Sequence, residues 1–127
     1  MATRTISNAG GNWSSTGTWV EGVVPTNADD VVATATSGNV TINGSSGSPS
    51  KCQSADFSNY VGTLTHGAGA YWEIGGSGGG TLKLVSGMGY NPSSTASLKF
   101  VSTTTGNNIT TAGKSMSPLT FNGAGGS

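Results

Sequence analysis

The apolar residues of this chain fall in short bursts of alternation, each cut off by glycine, serine, asparagine or proline. Val40-Thr41-Ile42, Tyr71-Trp72-Glu73-Ile74 and Leu98-Lys99-Phe100 are examples. A period of two puts alternate side chains on opposite faces of an extended strand, so each burst predicts a short strand with one apolar face. No long window keeps apolar residues at helical spacing, because Gly, Ser and Thr interrupt every candidate. The pattern predicts almost no helix.

One phrase recurs: Leu64-Thr65-His66, Leu82-Lys83-Leu84, Leu98-Lys99-Phe100 and Leu119-Thr120-Phe121. The leucines are 18, 16 and 21 residues apart (64 to 82, 82 to 98, 98 to 119). These steps lie near the period of a chain coiled into stacked turns of short strands. The expected fold is therefore all-β, a right-handed parallel β-helix or solenoid in which the four triplets stack inside the coil. The alternative is an antiparallel β-sandwich or jelly roll, whose strands have no reason to share a phrase.

The coil is expected to form one domain, residues 1–127, with capping and a first turn over 1–43 and repeat strands over 50–127. Trp13 and Trp19 are separated by Ser14-Ser15-Thr16-Gly17, which breaks any strand between them; a loop folding both rings over the open first turn is expected. Ser37-Gly38-Asn39 is read either as a turn between two strands or as a corner of the coil. Gly44 to Pro49 is a loop, Lys51 to Phe57 a strand with Cys52, Ser54 and Asp56 on one side, and Gly75 to Gly80 a flexible corner.

Composition sharpens this picture. Hydrophobic residues are 33% and charged residues 8%, while 22 of 127 residues are glycine, so the core must be thin and spread along the chain. The net charge is zero and the basic residues Arg4, Lys51, Lys83, Lys99 and Lys114 are scattered. Nothing resembles a phosphate-binding stripe, which speaks against nucleic acid and anionic membrane as partners. Met1 to Ile6 lacks the apolar core of a signal peptide, and no run has the length of a membrane span. Cys52 is the single cysteine, so no intrachain disulfide or cysteine-rich metal site is expected, and burial is its ordinary fate.

Catalytic and metal chemistry finds little to work with. Asp29 and Asp30 are neighbours and would face opposite ways on a strand, so they suit turn hydrogen bonding better than a carboxylate pair. Calcium needs six or more oxygens, and no loop alternates acidic residues. His66, the only histidine, occupies a place where the other phrases carry Leu84, Phe100 and Phe121, which predicts a packed position. No catalytic residue, metal or cofactor is assigned. The candidate contact residues for a glycan or partner are Trp13, Trp19, Tyr71, Trp72 and Tyr90, whose rings could stack on sugars if exposed.

Thr3-Arg4-Thr5-Ile6-Ser7, Trp19, Gly22-Val23-Val24-Pro25 and Asp29-Asp30-Val31-Val32 resemble the opening of β-rich bacteriophage virion proteins of the tail-fibre, tail-spike or capsid-associated kind. The order of tryptophan, Val-Pro, Asp-Asp-Val-Val and Val-Thr-Ile is also similar to the start of G8-type domains, which introduce parallel β-helices in extracellular carbohydrate-associated proteins. Leu119 to Gly126 resembles a β-helix rung that others follow. The resemblance implies a non-enzymatic structural component that self-associates and meets other virion proteins, made in a host cytoplasm and carried in the particle. A carbohydrate-binding module of a polysaccharide-directed protein is the competing expectation.

Overall fold

The computed structural model describes residues 2–116 and 118–121. Its strands coil into about four turns of a parallel β-solenoid with three faces. The first face stacks β1 (Thr3–Thr5), β3 (Asp30–Val32), β6 (Ser54–Asp56), β9 (Leu82–Lys83) and β12 (Ile109–Thr110). The second stacks β2 (Gly11–Asn12), β4 (Val40–Ile42), β7 (Thr63–His66) and β10 (Gly89–Pro92). The third stacks β5 (Ser50–Cys52), β8 (Tyr71–Ile74), β11 (Ser97–Phe100) and β13 (Leu119–Phe121). Every strand ladder is parallel, as the expected coil requires and a sandwich does not. Among the described residues the only helical element is a single 3-10 turn, Thr16–Thr18.

The recurring phrase belongs to the coil, but its copies are not one stack. Leu64 stands between Val40 and Tyr90 on the second face, and Leu82 between Ala55 and Ile109 on the first. Leu98 stands between Trp72 and Leu119 on the third face. Only Leu98 and Leu119 are true neighbours. The turn repeats over larger steps, 27 residues from Ala55 to Leu82 and 26 from Trp72 to Leu98. Steps of 18 and 16 therefore advance two faces out of three. All three faces need the same apolar-polar-apolar order, so likeness between strands does not say which face they share.

Leu64, Leu82 and Leu98 are fully buried together with Val31, Val40, Ile42, Phe57, Trp72 and Ile74, which makes one continuous core along the axis. Ser37-Gly38-Asn39 is a corner from the first face to the second, with the Ser37 hydroxyl donating to the Ile6 carbonyl at 2.7 Å. Lys51 to Phe57 is not one strand. It bends at Gln53, between the third face and the next first face, so that Cys52, Ala55 and Phe57 all point inward. The buried Gln53 fixes this corner, donating to Asp30 at 3.1 Å and accepting from the Gly78 N–H at 3.2 Å.

That second bond docks the glycine run, which is a packed corner and not the loose one expected. A methyl group added at Gly76 would lie 2.2 Å from the Asn27 carbonyl oxygen, so only glycine fits there. Residues 122–126 of the closing phrase lie outside the described residues.

Candidate functional site

The two ends of the coil are built differently. At the N-terminal end the chain between β2 and β3 folds back as a lid. Trp19 packs edge-on against Trp13 with centroids 4.9 Å apart, and Trp13 against Trp72 at 5.8 Å. The Trp19 indole donates to the Trp13 carbonyl at 3.0 Å, so the Trp19 ring is buried without an unpaired N–H. The lid also covers the outer edge of β1. Ser7 N–H donates to Thr18 and Val20 N–H to Thr5, both at 2.8 Å, and the Glu21 carboxylate accepts from Thr5 N–H at 2.8 Å. Arg4 occupies the register column of Val31, Ala55 and Leu82, and its guanidinium meets Asp29 at 3.4 Å. A charge in a column of core residues blocks stacking of another rung there.

At the C-terminal end no such cover exists among the described residues. β13 is the last strand of the third face, and its Leu119 and Phe121 continue the inward columns of Leu98 and Phe100. They are nevertheless 40% and 67% exposed. Phe121 lies flat on Phe100, centroids 5.3 Å apart and planes at 14°. Among the described residues the second face ends one turn earlier, at β10, and the Lys114 ammonium donates to the Met88 carbonyl at 2.6 Å.

The rings expected as a contact surface are mostly inside. Trp13, Trp19, Trp72 and Tyr90 are buried, and only Tyr71 is exposed. Four of the five therefore offer no face to a sugar, because the core that needs large apolar volume has taken them. His66 is buried beneath the same cluster, between Ile42 and Pro92 in register and not in a column with Leu84 or Phe100. Its Nδ1 lies 3.1 Å from the Tyr90 hydroxyl and its Nε2 3.0 Å from the Ala70 carbonyl. Burial lowers its pKa against the opposing pull of the Ala70 and Ser97 carbonyls.

Glu21, Asp29, Asp30 and Asp56 are bound into the frame. Burial pushes the Asp29 carboxyl up, but the Thr26 N–H and then Arg4 outweigh it and hold it below its ordinary value. Asp30 accepts from Ser54 Oγ at 2.7 Å besides Gln53. Burial raises Asp56 too, and Ser58 and Lys83 bring the net shift below normal. Burial drives the Cys52 thiol far up, so it is a core residue without thiolate character. No group of three His, Cys, Asp or Glu among the described residues could hold a metal ion. None of the described helices is long and apolar enough to cross a membrane.

The described residues also form a groove of about 700 Å³ along β5, which the residue pattern did not reveal. The first turn supplies no strand to the third face, so β5 is that sheet's edge. Val24, Pro25, Thr26 and Asn27 form the opposite wall, and Trp13 and Ser14 close one end. Asn43 and Ser14 brace that end through Ser14 N–H to Asn43 Oδ1 at 3.1 Å and Asn43 Nδ2 to Ser14 Oγ at 2.7 Å.

Fold and lid together define a parallel β-solenoid module that is covered at its N-terminal end and whose last described strand, β13, leaves its inward side chains part-exposed. No protein-family model, curated protein or solved structure matches the chain.

Proposed function

We propose that the chain is a non-enzymatic structural component of a bacteriophage particle, a tail-fibre, spike or capsid-surface part, that self-associates through the C-terminal end of its coil. The observation that carries this reading is the contrast between a lid on one end and the part-exposed inward-column residues of the last described strand, Leu119 and Phe121, on the other. Unpaired strand edges beside exposed apolar residues bind further β-structure. The engagement of Glu21, Asp29, Asp30 and Asp56 in backbone and side-chain bonds supports a structural role over a catalytic one. The virion assignment rests on the resemblance of residues 3–32 to virion proteins. Burial of Trp13, Trp19, Trp72 and Tyr90 weighs against the sugar-stacking alternative.

Sedimentation of the purified chain across a concentration series tests the association, and antibody labelling of purified phage particles tests the location. Concentration-dependent assembly and labelled particles are expected. A monomer at every concentration would sink the first part of the reading, and unlabelled particles the second.

A further inference from the structure

The geometry points to the groove beside β5 as a docking site for an extended peptide, which takes the place of the strand that the first turn does not supply to the third face. This site lies at the N-terminal end and is independent of the C-terminal contact.

Register shows where that strand is missing. Asp30 pairs with Ser54, so counting back places Thr26, Asn27 and Ala28 level with Ser50, Lys51 and Cys52. Those residues do not extend. Pro25 has no N–H to give, and Thr26 to Asp29 close a turn, with Asp29 N–H donating to the Thr26 carbonyl at 3.1 Å and Thr26 N–H to Asp29 Oδ2 at 2.9 Å. The chain thus crosses opposite β5 and leaves the groove between.

The edge of β5 faces into that space. In a parallel ladder the peptide groups of successive residues address opposite neighbours. The Cys52 carbonyl accepts from Gly75 N–H on the β8 side, and Gln53 N–H donates to the Asp29 carbonyl on the other. Lys51 therefore turns its N–H and C=O toward the groove, where no backbone group of the described residues takes them up. Addition of a strand to a free edge uses such backbone groups.

Charge selects the occupant. On the third face the outward column reads Lys51, Glu73, Lys99, one strand apart and alternating in sign. A strand laid beside β5 puts its central outward side chain against Lys51, which favours an acidic residue there. Its two flanking side chains would turn inward, into a groove lined by Trp13 and Val24, and should be small and apolar. The partner is thus a peptide of the order apolar, acidic, apolar.

The probe is the capped pentapeptide Thr-Val-Glu-Val-Thr, followed by amide and indole shifts of the whole chain. The Lys51 amide and the Trp13 indole N–H should move, and the peptide with Lys at its centre should bind about two- to five-fold more weakly. K51E should reverse that order while leaving the circular dichroism unchanged. A Pro-substituted central residue should abolish binding. The inference is overturned if neither peptide moves the Lys51 amide, if the Pro peptide binds as well, or if cellopentaose rather than peptide shifts the groove signals.

Discussion

The two ends of the coil use the same strands and finish them in opposite ways. At the N-terminal end, eleven residues of loop and turn between β2 and Val24 contribute no strand, yet they bury two indoles and bond the outer edge of β1 at Thr5. At the C-terminal end, β13 is a regular strand that buries neither of its inward side chains completely. Regular pairing extends a solenoid without closing it, and closure takes irregular chain with large apolar side chains and its own hydrogen bonds. Substitutions at the two ends should therefore differ in what they cost and in what they change.

The largest effect is expected beneath the lid. Trp72 touches the rings of Trp13, Phe57 and His66, so Trp72→Ala should cost about 3–5 kcal/mol in urea unfolding or prevent folding. Trp19→Ala should follow closely, since it opens the lid and leaves the Trp13 carbonyl without its donor. If Trp19→Ala were as mild as a surface change, the lid would not be closing the core. Ser37→Ala should cost about 1–3 kcal/mol by orphaning the buried Ile6 carbonyl.

Acid should act on the core through His66. Its folded pKa is depressed, so the stability gained by keeping it neutral is complete above the ordinary value of 6.5 and is lost as the pH falls below that toward the folded value. The urea midpoint of the native chain should fall between pH 7 and 5, and His66→Gln should flatten that slope. At the C-terminal end L119D with F121D should cost less monomer stability than the tryptophan changes, about 1–2 kcal/mol, yet abolish assembly in sedimentation. A large loss of stability there would mean that β13 is as well buried as the lid.

The fold class was legible because it depends on what the sequence displays, short alternating bursts divided by glycine and asparagine. The lid was legible because Trp13 and Trp19 are too large for a polar loop unless they cover something. The turn length was not, since an inward-outward-inward triplet such as Leu82-Lys83-Leu84 suits any of three faces equally. Nor was the bend at Gln53, which hides in an unbroken alternation from Lys51 to Phe57 and depends on Asp30 and Gly78, partners from adjoining turns. The groove escaped notice for a related reason. It is made by a strand that is missing, and only the register against β5 shows the gap.

Amide hydrogen exchange at two concentrations tests the contrast between the ends most directly. Ser7, Val20 and Thr5 amides at the lid should be protected in both samples. The β12 and β13 amides should exchange quickly in the dilute sample and slowly in the concentrated one, as their open edge acquires a partner. Fast exchange at the lid, or β13 amides that exchange at one rate in both samples, would contradict a coil closed at its N-terminal end and open to association at the other.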